Sequence, residues 1–530
     1  MDPRRSSLGY WCFEAAARYP DKIALIDLSG AAPRSLTYAE LERRLDQAAG
    51  WMRAAGLAPG DRLAMAVGNR LEFIEIFFGA MRAGVVPVPL NTRLGPETLA
   101  YIIENADCRA AVAEPAVNAD LAPAAEALGL PVRAMLDGGR EGWADYAAAR
   151  DAAPLVFEPP TLPERHPAFQ PYTSGSTGRP KGVVLTHEGQ MWWLRCVQKY
   201  WPSAPEARAL AAVPLYHKNA MAGAIKPMLH AGGSVVLLPD FEPRRFLETL
   251  SERRCTKAGA VPTVYTKLLQ HRDLIETLDF SALQLLTVGS ATVQKELVEQ
   301  IHAAFGCPVA ETYGLTEGGP VMIGPPLDGR AVPLGSCGVA WPEGEVKLVD
   351  ARGAEHGAEG ELWVRNPGVT PGYHKLPEVN AARLQDGWLA TGDLFRRDEQ
   401  GFFYFLGRTD DMFKTAGESV YPKEVENLLI AHPKVFDACV SPIADPEKGM
   451  VPAALVMLEA GEHVEEAELK RWALARGPAY AHPRRIAFTD AMPLNGAGKV
   501  DRLSIREKLS NLFAAEIAAK RGARDDGATR

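Results

Sequence analysis

The sequence predicts an α/β protein built from more than one domain. At 530 residues the chain exceeds what one typical hydrophobic core accommodates. Through the first 400 residues, short apolar runs of strand character alternate with longer amphipathic stretches of helix character. From about Gly338 the pattern changes to short β-like runs, and a last segment returns to mixed helix and strand. The expectation is a large N-terminal domain of layered α/β subdomains plus a β-rich subdomain, followed by a small α/β C-terminal domain.

The elements follow in order. Thr37-Tyr38-Ala39-Glu40 has the form of a capping box, so a helix is expected from there through Ala49. Residues 62–67 read as a buried strand, 71–82 as a helix and 85–90 as β. The alternation returns with strands at 233–238 and 283–288 and helices at 245–253 and 295–305. Shorter strands are expected at 345–349, 360–365 and 401–406. Beyond Arg408, the chain predicts helices at 422–431 and 465–475 and strands at 438–442 and 453–458, enough for a small domain. The boundaries that result are 1–408 for the N-terminal domain and 409–515 for the C-terminal domain. Residues 516–530 end in the polar RGARDDGATR and are expected to be a disordered tail.

Bulk properties bound the function. Hydrophobic residues make up 47% and charged residues 23%, ordinary for a soluble globular protein. A formal net charge of −8 gives no basic footprint for nucleic acid. Arg244–Arg245 and Arg484–Arg485 are solvated surface on this reading. The seven cysteines are dispersed without a C-x-x-C pair, which argues against a disulfide framework or a zinc site and suits a reducing cytosol. The N-terminus lacks a continuous apolar core of secretory type, and no apolar run approaches the ~18–20 residues of a membrane span. A cytoplasmic protein without a membrane span is expected; oligomeric state is not legible, and a homodimer is compatible with the sequence.

The chemistry is concentrated in the stretch 172–187, YTSGSTGRPKGVVLTH. Its glycines, Gly175, Gly178 and Gly182, let the backbone turn tightly and bring N–H groups close to an anion, and its hydroxyls add donors. Lys181 adds a point charge for phosphate oxygens. A Walker loop would place G-K-[ST] at the start of a helix. Here Lys181 follows Gly178 by three residues and leads into the strand-like Val183–Leu185 run, so this is a different phosphate loop.

Over ten consecutive positions, 173–182, this loop resembles that of the adenylate-forming acyl-CoA synthetases, the superfamily of firefly luciferase and nonribosomal peptide adenylation domains. The resemblance spans the chain from RYPDKIALI at 18–26 to Arg502 and rests on further motifs in the family's order. It implies binding of ATP through Thr173, Ser174, Gly175, Ser176, Thr177, Gly178 and Lys181.

Glu311-Thr312-Tyr313-Gly314-Leu315-Thr316-Glu317 follows a predicted strand at 308–310. A carboxylate at a strand end can hold Mg²⁺ on ATP phosphates, although the heptapeptide is also readable as a surface turn. By resemblance to the family's Y-G-x-T-E motif, Glu317 becomes the Mg²⁺ ligand, Thr316 a phosphate contact and Tyr313 a neighbour of the adenine. Glu311, Thr312 and Gly314 join the nucleotide site with them. Gly289-Ser290-Ala291 resembles the small-residue turn lining the adenine and acyl pockets.

Asp393, in Thr391-Gly392-Asp393, is alone a common turn residue and in position matches the family's ribose-binding aspartate. Arg408 matches a second ribose contact and Asp410 the hinge of a mobile C-terminal domain. Lys414, Gly417 and Glu418 belong to a loop resembling K-x-x-G-E-x-V-x-P, which implies a coenzyme A tunnel. Lys499, in Asn495-Gly496-Ala497-Gly498-Lys499, matches the family's G-K motif. A lysine on a Gly-flanked loop answers the negative charge that builds when a carboxylate attacks a phosphate.

Pro214-Leu215-Tyr216-His217 resembles the segment beside the acyl pocket, where His217 gates or orients the carboxylate or serves structurally at a strand end. Lys499, His217, Glu317 and Thr173 thus form the implied catalytic set. Lys218 and Lys226 depart from the family, standing where apolar residues and an early glycine are frequent; a lysine facing the pocket would pair with a second polar group on the acid, while the preferred expectation is that they point outward to solvent. Trp192 and Trp193 are expected to serve helix packing.

The resemblance implies an AMP-forming carboxylate–CoA ligase using ATP, Mg²⁺ and coenzyme A, with its site between the two domains. Two alternatives stay open: an enzyme that loads a separate carrier protein, and a catalytically silent nucleotide-binding paralogue, against which the intact Lys499, Glu317 and Asp393 argue. Small aliphatic, medium-chain and aromatic acids are all compatible, with the last two preferred.

Overall fold

The computed structural model describes residues 2–154, 158–163, 165–173, 179–289, 293, 295–350, 352–445, 447–459, 461–494 and 500–514. The chain divides into two compact units. One comprises Met1–Lys347, Trp363–Thr391 and Glu399–Phe403; the other comprises Leu348–Leu362, Gly392–Asp398 and Tyr404–Arg530.

The first unit contains two sheets of mostly parallel strands, as the alternating pattern predicts. A five-stranded parallel sheet runs in the order Val86–Pro89, Arg62–Ala66, Cys108–Ala113, Val132–Met135 and Ala144–Asp145. A nine-stranded sheet has six parallel strands in its middle: Val309–Leu315, Leu285–Gly289, Lys257–Ala260, Arg208–Ala211, Ser234–Leu237 and Ile23–Asp27. These strands read as continuous apolar runs because helices cover both faces of such sheets. A small antiparallel sheet joins Lys181–Thr186 to Gly372–Tyr373, Pro167–Phe169 and Tyr172–Thr173.

The expected capping box exists. Thr37 Oγ1 accepts from the Glu40 N–H at 3.2 Å while the Glu40 carboxylate accepts from the Thr37 N–H at 2.8 Å, starting the helix Tyr38–Ala54. That helix packs on Leu71–Arg82, which is buried along its whole length. Such burial brings charged residues inside, and each has partners. Glu75, fully buried, accepts from Arg44 at 2.7 Å and from Arg150 at 2.6 Å. Trp193 lies in the core of this unit, as packing of its helix predicts.

The second unit has its own core, drawn from Val425, Leu429, Val440, Val456, Leu469 and Ala473. Its sheet runs Glu418–Val420, Phe413–Thr415, Gly449–Leu458 and Val435–Asp445, with Arg485–Phe488 parallel to Gly449–Leu458. The helices Pro422–Ile430, Glu466–Arg476 and Arg502–Leu512 complete it. The two long strands extend beyond the runs that predicted them, because flanking residues such as Asp437, Asp445 and Pro452 also take part in the ladder. No helix among the described residues is long and apolar enough to cross a membrane.

Removing the buried Glu75 carboxylate leaves the buried Arg150 with only the exposed Asp151 as counter-charge, and breaking one partner of a buried pair is strongly destabilising. Glu75→Ala is expected to cost about 3–5 kcal/mol. Chemical denaturation checks this; a loss below about 1 kcal/mol would mean that these ions are solvated.

Candidate active site

The ends of the glycine-rich loop are held by sheet pairing. Thr173 pairs with Lys181 and Tyr172 with Gly182 across an antiparallel ladder. Lys181 opens the strand Lys181–Thr186, so a strand follows the glycine-rich segment, as its sequence indicates. Ser174, Gly175, Ser176, Thr177 and Gly178 lie outside the described residues. Beyond the loop, the His374 N–H donates to Gly182 O at 2.8 Å, and Val183 pairs with Tyr373.

The Glu311–Glu317 motif does not stand just past a strand at 308–310. Strand Val309–Leu315 contains most of it, and only Thr316 and Glu317 fall in the turn that follows. The ladder continues because both sides are paired: Glu311 and Thr312 lie opposite Val288 and Gly289, and Tyr313 and Leu315 pair with Ile323 and Gly319. This register puts Gly289 beside Thr312, so two motifs separate in sequence become neighbours. A Cβ on Gly289 would stand 2.9 Å from Thr312 O, which explains the glycine there. Ser290 and Ala291 lie outside the described residues. Burial pushes the Glu311 carboxyl up to about 7.

The turn after this strand is pinned residue by residue. Lys218 Nζ donates to Thr316 O at 2.6 Å and lies 3.5 Å from Leu315 O. The Thr370 N–H donates to Glu317 O at 2.6 Å, and Asn366 Nδ2 donates to Gly318 O at 2.9 Å. Thr370 Oγ1 also donates to Val184 O at 2.6 Å, tying this turn to the strand that leaves the phosphate loop. Tyr373 donates from its hydroxyl to Glu317 Oε1 at 3.1 Å. Among the described residues, no hydrogen bond reaches the second oxygen of Glu317. Mg²⁺ uses one or two protein carboxylates together with substrate phosphates and water, so one such oxygen, on a turn tied through Thr370 to the strand after the glycine-rich segment, fits it. No group of three or more His, Cys, Asp or Glu that could hold a metal occurs among the described residues.

His217 is half-buried at the N-cap of the short helix Lys218–Ala220, its ring centroid 4.7 Å from that of Tyr216. The segment before it is anchored by Asn69, which sequence reasoning missed. Asn69 accepts from the Leu215 N–H at 2.7 Å and donates to Val213 O at 3.1 Å and Leu238 O at 3.0 Å. An isolated asparagine between a strand and a helix carries no mark of this role in sequence. Thr370, Tyr373 and Asn366 were missed for the same reason.

Lys218 and Lys226 do not point to solvent; both are buried. Desolvation brings Lys218 down to about 7, opposed by the Glu317 charge. Lys226 is held well below the usual lysine range by burial and by Lys218. Its Nζ donates to Gln190 Oε1 at 2.7 Å and lies 4.9 Å from the Trp193 ring centroid. The apolar neighbours expected at these positions are thus replaced by amines with built partners.

The second unit gathers the other predicted residues. Asp393 and Arg408 meet at 2.8 Å, with Asp393 largely buried and Arg408 partly exposed. Arg408 Nη2 lies 3.7 Å from Asp410. Thr415 and Glu418 flank a two-residue hairpin turn, Ala416-Gly417, in which both residues have positive φ, 51° and 92°, and Lys414 pairs with Ser419 one step further along the ladder. Such turns match strand twist and demand glycine or a tolerant residue, which accounts for Gly417. Lys414, Gly417 and Glu418 are all exposed.

Asn495, Gly496, Ala497, Gly498 and Lys499 lie outside the described residues, but the flanks of that loop are fixed. Leu494 bridges Val500, and the Asp501 N–H donates to Pro493 O at 2.8 Å. Arg502 then reaches inward to Glu426 Oε1 at 2.8 Å and Val440 O at 3.1 Å.

The raised Glu311 carboxyl makes a signed prediction. From pH 4.5, the ordinary value, to about 7, the folded protein holds a proton that the unfolded chain releases. Stability contributed by this group is therefore full at low pH and lost as pH rises through 7. Glu311→Gln should melt higher than the parent at pH 8 and alike at pH 4; an equal difference at both would remove the role of burial.

Comparisons with known proteins complete the site. A model of the AMP-binding enzyme family matches residues 12–374, and one of the AMP-binding enzyme C-terminal domain matches residues 424–499. The chain is 34% identical over 509 residues to a feruloyl-CoA synthase from Amycolatopsis sp, covering 95% of this chain and 99% of that protein. It is 30% identical to an indoleacetate–CoA ligase from Aromatoleum aromaticum, covering 94% and 98%. Among solved structures, ATP-bound MatB from Rhodopseudomonas palustris superposes with a TM-score of 0.87 at 30% identity, covering 96% of this chain and 99% of that one. With its glycine-rich segment flanked by paired strands and its Thr-Glu turn tied to the strand that follows, the chain belongs to the AMP-binding enzyme family and is an AMP-forming carboxylate–CoA ligase, which uses ATP and coenzyme A.

Proposed function

We propose that the acid activated by this ligase is aromatic, and that the residues named above divide the two half-reactions between them. The observation that carries the role assignment is the double link of Thr370. It ties Glu317 O and Val184 O together and so seats the candidate Mg²⁺ ligand beside the strand that leaves the phosphate loop.

In the first half-reaction a carboxylate oxygen attacks the α-phosphorus of ATP, the α–β anhydride bond breaks and pyrophosphate leaves. Thr173, Lys181 and the loop between them cradle the phosphates, Thr316 contacts them and Glu317 holds Mg²⁺. Bound there, Mg²⁺ neutralises phosphate charge. Lys499 meets the charge that develops on the α-phosphate. His217 orients the incoming carboxylate. Gly289, Glu311, Thr312, Tyr313 and Gly314 line the adenine side, and Asp393 with Arg408 takes the ribose hydroxyls.

In the second half-reaction the coenzyme A sulfur attacks the acyl carbonyl carbon. The bond to AMP breaks, AMP leaves and the thiol proton passes to solvent. Lys414, Gly417 and Glu418 guide the pantetheine arm, Asp410 is the residue at which the chain turns between the two steps, and the mobile domain is 409–515.

One finding supports an aromatic acid. Feruloyl-CoA synthase and indoleacetate–CoA ligase both carry names of acids with aromatic rings.

The test is pyrophosphate release from Mg·ATP against arylacrylic, arylacetic, benzoic and medium-chain acids, with and without coenzyme A. Aromatic acids should turn over fastest, and coenzyme A should raise the rate. A preference for medium-chain acids would overturn the substrate assignment, and indifference to coenzyme A would point to another acceptor. Lys499→Ala is expected to slow adenylation by about 10²–10³-fold while sparing thioester formation from supplied acyl-adenylate. Equal loss in both half-reactions would remove its assigned role.

A further inference from the structure

We infer that Lys218 is a positioning residue for Glu317, bracing the nucleotide-side turn against the acid-side segment from which it grows. The inference rests on the reading of Glu317 as the Mg²⁺ ligand. Lys218 directly follows His217 in the chain, opens the short helix Lys218–Ala220 and is buried. Burying an ammonium is costly unless hydrogen bonds replace its water. Here the replacement is specific: Thr316 O at 2.6 Å and Leu315 O at 3.5 Å.

Those two carbonyls immediately precede Glu317. The next two in the chain, Glu317 O and Gly318 O, are bound by the Thr370 N–H and by Asn366 Nδ2. Lys218 thus supplies the one contact, among the described residues, that holds the front of this turn from the acid side. An apolar residue at position 218 would leave Thr316 O without this donor, and the turn could relax away from His217. The lysine also stands close enough to feel the Glu317 charge. The carboxylate is therefore fixed from two sides, by Lys218 through the backbone and by Tyr373 through Oε1.

A residue that acts through Glu317 has a distinct kinetic footprint. Lys218→Met, close in length but without a donor, should raise the Mg²⁺ concentration giving half-maximal pyrophosphate release by about tenfold, matching one charge-assisted hydrogen bond. KM for the acid should stay within about twofold, since the contact is to the nucleotide-side turn. In a Glu317→Gln background the same substitution should change Mg²⁺ dependence no further, because the group it positions is gone. Lys218→Gln, which keeps an N–H donor, should recover most of the Mg²⁺ dependence and answers for the case in which the methionine variant does not fold.

Three outcomes separate the possibilities. Unchanged Mg²⁺ dependence in both Lys218 variants, with Glu317→Gln impaired, overturns the positioning role. An equal Lys218→Met effect with and without Glu317 also overturns it, showing that the lysine acts elsewhere. Normal Mg²⁺ dependence in Glu317→Gln itself defeats the metal reading, and with it this inference, independently of Lys218.

Discussion

Four successive carbonyl oxygens, from Leu315 to Gly318, leave the end of one strand and need donors, and how that need is met shapes the turn that carries Glu317. Buried backbone acceptors without partners are costly, so a turn held by side chains keeps its shape only while those side chains are in place. The donors come from Lys218, far earlier in the chain, and from Thr370 and Asn366, later in it. Thr370 carries the constraint further, to the strand that leaves the phosphate loop. Glu317 is therefore placed by a network whose members are not themselves reactive.

The same logic operates in the second unit. Lys499 belongs to a loop whose two ends are tied by the Leu494–Val500 bridge and the hydrogen bond from Asp501 to Pro493. Just past that loop, Arg502 is drawn inward by the buried Glu426, which also accepts from the Val440 N–H at 2.9 Å.

Buried charge is handled in two manners. Glu75 and Arg82 lie inside the first unit with opposite charges against them: Arg82 meets Glu42 at 2.6 Å and Asp46 at 2.7 Å. These pairs bind helices to one another, and their geometry supplies what desolvation removes. Lys218 and Lys226 are satisfied instead by carbonyl, amide and aromatic groups. With no carboxylate hydrogen-bonded to either among the described residues, burial lowers their basicity, and they serve as donors more than as charges.

The sequence by itself determined the family, the order of the motifs and the positions of most elements. Those properties are written locally: a capping box at Thr37, glycines where backbones must turn, and apolar runs with the spacing of strands and helices. The helix Lys295–Phe305 and the strand Glu345–Val349 fall where their patterns put them. Tertiary structure alone decided that Glu311 lies inside a strand, since its pairing with Val288 is set by register between distant segments. It alone decided that Lys218 and Lys226 turn inward, because a lysine looks the same in sequence whether its amine meets water or a carbonyl. Asn69, Thr370 and Tyr373 were invisible for a related reason. Their function lies in hydrogen bonds closed across long stretches of chain, and such contacts leave no local periodicity to read.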